Sequence, residues 1–263
     1  MSYKEHVSIL LDSKNRTSGT NSNPIFNLEH QILFKQNNKK QYFAILHNTI
    51  IPRTYYEIDS NNNVFRISEQ GGGTLVITID EGNYTVSELI SELESQLDTN
   101  TTNTNNYTLS YDSKTNKITF SFTGTSTDVT IDSIANGSTL NPVLGVSVLG
   151  NDGTTQINAG VSTEFPHTAQ LVNKQYINVF TDLSSNNYYT NTDKQNIGVR
   201  VPITVDRNEI QVFNNYEGHR TLLNHTSVIS RVELQLRDPN NNILNLNSAD
   251  WSTELIIYEY TKQ

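Results

Sequence analysis

Apolar and polar residues alternate with a period of two along most of this chain, the pattern of strands with one face buried and the other wet. Ile118, Phe120 and Phe122 share one face of such a run, while Thr119 and Ser121 take the other. Just upstream, Tyr107, Leu109 and Tyr111 alternate with Thr108 and Ser110. Asp112-Ser-Lys-Thr-Asn116 lies between the two runs and has turn chemistry, so 107–122 is expected to form a β-hairpin. Leu75, Ile77 and Ile79 make another face, and Val232, Leu234 and Leu236 a further one. Asp238-Pro-Asn-Asn-Asn242 then turns the chain toward a last strand over 255–260. Further strands are expected at 6–11, 41–50, 55–58, 63–67, 176–180, 197–204 and 209–213.

One segment has a different period. Val86, Leu89, Ile90, Leu93 and Leu97 recur at helical spacing, with Glu88, Glu92 and Glu94 between them. Thr85 stands at the N-cap with Glu88 three residues on, which is a capping box, and Tyr84 and Leu89 are placed for a hydrophobic staple. The spacing predicts a helix over 86–98. From 74 to 132 the order is therefore strand, helix, hairpin and a short strand at 129–131. Gly71-Gly-Gly73 precedes this stretch; Asn136-Gly137 and Asn151-Asp-Gly153 follow it. These flanks suggest a small α+β domain at 69–150, inserted into a β domain made of 1–68 and 151–263.

Composition narrows the function classes. The 263 residues include 35 Asn, 31 Thr and 24 Ser, only 35% apolar residues and a net charge of −9. So polar a chain is still not expected to be disordered, because 13 Tyr and 9 Phe fall in the periodic runs. The absence of cysteine excludes disulfides, thiolate metal sites and a cysteine nucleophile. No stretch approaches the roughly 20 apolar residues of a membrane span, and Met1-Ser-Tyr-Lys-Glu-His6 does not open like a signal peptide. The acidic balance argues against a nucleic-acid surface.

No residues assemble into a catalytic, cofactor-binding or metal-binding motif: there is no G-x-S-x-G elbow, P-loop or H-E-x-x-H. Asp59, Asn61 and Asn63, and again Asp238, Asn240 and Asn242, imitate the start of a calcium loop. Val64 and Ile243 stand where glycine is needed, so both are expected to be turns. Glu217, His219 and His225 lack recognisable ligand spacing. An enzyme is not expected, and no cofactor is.

Three blocks together carry a family resemblance. Residues 8–28, from Ser8-Ile-Leu-Leu-Asp12 to Asn23-Pro-Ile-Phe-Asn-Leu28, form the first, and Ile50-Ile-Pro-Arg-Thr-Tyr-Tyr-Glu-Ile58 the second. Gly82-Asn-Tyr-Thr85 leading into the helix, with Tyr111-Asp112 and Thr115-Asn-Lys-Ile118, forms the third. In this order and spacing they resemble the penton and minor capsid proteins of virophages, polinton-like viruses and related large DNA viruses. The resemblance covers roughly 5–122. It implies a single jelly-roll antiparallel β-sandwich that assembles as a homopentamer at the five-fold vertices of an icosahedral virion. Its partner there would be a double-jelly-roll major capsid protein, with assembly inside the infected host cell. It brings no catalytic residues and identifies no host receptor. Another minor virion or fibre protein, or a carbohydrate-binding β-sandwich rich in Tyr and Asn, remain alternatives. Residues 12–24 are polar and broken by Pro24, so this arm is expected to pack poorly within one subunit and to run in part along a neighbour or beneath the shell, ordered by assembly, with Arg16 a candidate anchor there.

Overall fold

A computed structural model describes residues 2–34, 40–147, 153–172, 174–183, 188–189, 194–195, 197–215, 220–223 and 228–261. In chain order the elements begin with β1 (Ser2–Asp12), β2 (Ser18–Gly19), β3 (Pro24–Leu33) and β4 (Lys40–Pro52). There follow β5 (Val64–Glu69), β6 (Thr74–Thr78), α1 (Val86–Asn100), β7 (Asn106–Asp112), β8 (Lys117–Thr123) and β9 (Asp128–Ile131). Next come α2 (Asn141–Leu144), β10 (Thr155–Asn158), β11 (Thr163–Glu164), β12 (Tyr176–Thr181), β13 (Tyr188–Tyr189) and β14 (Lys194–Gln195). The last are β15 (Ile197–Pro202), β16 (Ile210–Asn214), β17 (Thr221–Leu222), β18 (Val228–Arg237) and β19 (Ser252–Thr261).

These elements form two compact units, one made of 1–55 with 174–263 and the other of 56–173. In the first unit eight strands pair as a nested ribbon. The first pairs with the last (β1 with β19), β3 with β18, β4 with β16, and β12 with β15, all antiparallel. The ribbon is then rolled so that β19 also pairs with β4, and β18 with β12. The result is two sheets, ordered β1-β19-β4-β16 and β15-β12-β18-β3-β2. That rolled ribbon is the jelly roll of two Greek keys. Leu11, Tyr42, Leu46, Leu255 and Ile257 of one sheet and Phe26, Val179, Val201, Val232 and Leu234 of the other are buried in one shared core, as a sandwich requires.

In the second unit α1 forms where the sequence places it. The Thr85 side chain accepts from the Glu88 backbone N–H, and the Glu88 carboxylate accepts from the Thr85 N–H at 2.8 Å, which completes the capping box. The helix buries Leu89, Leu93 and Leu97 completely, worth about 1.5–3 kcal/mol for each leucine removed from water. They share a core with Phe65, Ile77, Tyr107, Phe120 and Phe165, in which the Phe120 and Phe165 rings stack 6.2 Å apart. The 107–122 hairpin is present as β7 and β8, with Asn116 in the left-handed region at φ 56°. Sheets β10-β9-β5-β6 and β11-β8-β7 complete the unit.

Three local expectations change. Gly71–Gly73 is not a linker but the turn of the β5–β6 hairpin, where Glu69 N–H donates to Gly73 O. Because β5 pairs with β6 and β9, β10 with β9, and β11 with β8, the units divide at 55/56 and 173/174, outside the expected 68/69 and 150/151. Residues 55–58 are not a strand: Tyr55 is buried in the core of the first unit, Ile58 in that of the second, and Ile58 makes only an isolated bridge to Gly82. The alternation there marks a chain crossing between cores.

Replacing Thr85 with Ala is expected to destabilise the 56–173 unit by about 1 kcal/mol, read as a lower urea midpoint with unchanged slope. Deleting 56–173 and joining Tyr55 to Lys174 by a short Gly/Ser bridge should leave a β protein that unfolds in one cooperative transition. Loss of that cooperativity in circular dichroism would show that the jelly roll cannot stand without the insert.

Candidate functional site

Apart from Ile243 in the turn after β18, the large apolar side chains that the described residues of the jelly roll expose lie along its two lateral edges and on Val228 beside Leu33. On one side, β1 ends its sheet, and β3 carries beyond it only β2, paired at Pro24 and Ile25. From Phe26 to Leu33 the outer edge of β3 therefore has no strand partner among the described residues. The β3–β18 ladder is interrupted there: Ile229 faces Ile32 and Arg231 faces Asn27, so 28–31 stand against the single residue Ser230. This bulge and β1 line a groove of about 450 Å³ formed by Val7, Ile9 and residues 28–33. Leu10, 72% exposed, and Leu33, 63% exposed, stand on the two strands that bound it. On the opposite edge β16 exposes Ile210 (60%) and Val212 (52%).

The sheet β15-β12-β18-β3-β2 has a different outer face. The Arg200 guanidinium lies 4.1 Å from the centre of the Tyr176 ring, and that of Arg237 lies 5.1 Å from the Phe180 ring. Asn178 sits in register between the two arginines and accepts from Arg200 Nε at 3.0 Å. Such stacking fixes the cations while leaving them hydrated.

The arm expected to pack poorly is instead tied down within the subunit. Trp251 is buried, and its indole N–H donates to Asn21 O at 2.6 Å. Asn21 Nδ2 donates to Ser248 O, Ala249 O and Asp250 Oδ1, and Ser13 Oγ donates to Asp250 Oδ1 at 2.9 Å. Arg16 donates from its guanidinium to Ser13 O and Gly19 O, both within the arm itself. A polar arm packs here because Ser13 and Asn21 find hydrogen-bond partners in the 248–251 turn.

In the 56–173 unit the buried Glu69 is a hub. Its carboxylate accepts from Thr101 Oγ1, Thr102 N and Oγ1, Asn105 Nδ2 and Tyr107 Oη. Burial pushes its pKa up, but the donors, Thr101, Tyr107 and Asn105 foremost, outweigh that and hold it below the ordinary 4.5. The Tyr107 hydroxyl is pushed well up, by burial and then by its bond to Glu69. The hub joins the end of α1 to β5 and β7. The strand expected at 63–67 stops short of it, although Glu69 continues the buried face of Phe65 and Ile67.

No group of three or more His, Asp or Glu side chains could hold a metal among the described residues. Both calcium-like stretches are turns: Asp59 Oδ1 accepts from Asn61 N–H at 2.9 Å, and Asp238 Oδ1 from Asn242 N–H at 2.8 Å. Glu217, His219 and His225 lie outside the described residues. No described helix is long and apolar enough to cross a membrane.

Charge divides unevenly between the units. Residues 56–173 hold 14 acidic and three basic side chains, net −11, whereas the rest of the chain holds 13 and 15, net +2.

A match over residues 1–259 joins the chain to DUF5901, described as a family of unknown function. The chain belongs to the DUF5901 family. Among curated proteins none matches. Among solved structures, this DUF5901 protein is similar to the mavirus penton protein, with a TM-score of 0.50 at 9% identity. The similarity covers 99% of this chain and 100% of the penton chain. It establishes the fold: a mainly β, antiparallel jelly-roll architecture.

Glu69→Gln is expected to destabilise the 56–173 unit by about 2–3 kcal/mol at neutral pH, because donors built for a carboxylate lose it. Because the folded pKa is lowered, the carboxylate's contribution is complete above about 4.5 and is lost as pH falls through the lower folded value. The gap between wild type and variant in urea melts should therefore stay constant from pH 5 to 8 and narrow progressively as the pH falls below about 4.5.

Proposed function

We propose that this DUF5901 protein is a capsid penton subunit, a structural protein that forms the five-fold vertices of an icosahedral virion as a homopentamer. One observation carries the reading: the eight-strand rolled ribbon, interrupted between its third and fourth strands by a domain, is similar over its whole length to a penton protein. The family resemblance of residues 8–28, 50–58 and 82–118 supports the same role. In this reading 1–55 with 174–263 is the core domain, and 56–173 is an inserted α+β domain. The partner is a double-jelly-roll major capsid protein, met in the infected host cell. The acidic insert is poorly suited to holding a genome, and the chain works without catalysis or a cofactor.

Electron microscopy of shells assembled with the cognate major capsid protein tests the role. Density for this chain is expected at the five-fold vertices. Density at two-fold or hexameric positions, with the vertices filled by another protein, would overturn it.

A further inference from the structure

A closed ring of identical subunits needs two different patches on each copy, one meeting the other on the next. Sheet β1-β19-β4-β16 ends on one side in β1 and on the other in β16, beside which the short β17 also pairs with β4, and neither β1 nor β16 is paired on its outer side among the described residues. Unpaired edges are templates for further pairing, and only full closure of a sheet removes them.

We propose that the occupant of the β1 edge is β16 of a second copy of this chain, so that the sheet runs on from subunit to subunit. The inference rests on the penton reading and supplies its contact. Four independent features agree with it. First, direction: the four strands alternate antiparallel, so the last runs opposite to the first. Rotation about an axis along the strands preserves direction, which sets β16 of one copy antiparallel to β1 of the next. Second, side: Leu11 and Gln211 are buried, so Leu10, Ile210 and Val212 all project from the outer face of the same sheet. Pairing places exposed leucine beside exposed valine and isoleucine, and the three leave water together. Third, charge: antiparallel pairing brings the end of β1 to the start of β16. Exposed Lys14 follows β1, and the exposed stretch Asp206-Arg-Asn-Glu209, net −1, precedes β16. Fourth, accessibility: the groove beside β1 leaves the half-buried Val7 and Ile9 reachable from that edge. No apolar stripe is contiguous in the sequence. The apolar residues of this interface come from strands some 200 positions apart.

The chain has no cysteine, so cross-linking gives a clean test. In the Leu10→Cys, Val212→Cys double variant the two thiols of one chain are separated by three strand spacings, about 14 Å. That exceeds the roughly 7 Å Cα separation a disulfide spans. Mild oxidation, at a concentration where sedimentation shows the ring or in assembled shells, is expected to give a non-reducing ladder that stops at five chains. The Leu10→Cys, Ile210→Cys pair covers the register two residues away, and each single variant should give no more than dimers. Leu10→Lys, at an exposed position, should leave circular dichroism unchanged and remove the ring. A five-chain ring in sedimentation with no ladder from either pair would overturn the edge pairing and leave the penton reading standing. Absence of any ring, in solution and in shells, would overturn both.

Discussion

Strand β1 has no partner until β19 exists. The pairing of Ser2 with Thr261 and of Asp12 with Ser252 closes the nested ribbon, and every other pair of the jelly roll lies inside it. Loop-closure entropy must be met before such contacts contribute, so a fold dominated by them forms slowly. The 56–173 unit has its own core and its own pairing, and all its partners lie within 118 consecutive residues. The insert can therefore order while the strands around it still wait for their partners.

What the sequence made legible follows this division between near and far. The helix at α1 was readable because its cap, its staple and its apolar face are all local; only its end moved, from 98 to Asn100, where Thr101 N–H still reaches Leu97 O. The β7–β8 hairpin was readable for the same reason. Strands such as β12 and β18 could be located, but their pairing depends on how the ribbon rolls, and no local residue encodes that. The division at 55/56 was hidden because Tyr55 and Ile58 are apolar for two different cores. The Trp251–Asn21 bond joins positions 230 apart, so the arm looked unpartnered until the turn at 248–251 was brought to it. Glu69 continues the inward face of Phe65 and Ile67, but a carboxylate there makes sense only once Thr101, Asn105 and Tyr107 bring their donors to it.

The abundance of asparagine also gains a physical reason. Asn116, Asn208, Asn241 and Asn247 adopt positive φ, a region that asparagine enters more readily than most residues. Others act as short side-chain braces: Asn63 donates to Ile79 O, Asn141 to Asp132 O and Asn215 to Leu46 O. A protein of many short strands has many turns and many loose backbone groups, and asparagine satisfies both. The thin apolar content is thus spent inside two separate cores, each lined from both sides, and the surplus of polarity lies in the connections.

The uneven division of charge makes the two units respond differently to a charged surface. Near an anionic surface, the unit of net −11 is repelled and the unit of net +2 is not. At an ionic strength of 0.1 M this discrimination acts over about 10 Å, so it operates before any atom makes contact. Added salt weakens this difference between the units without altering a hydrogen bond of either fold.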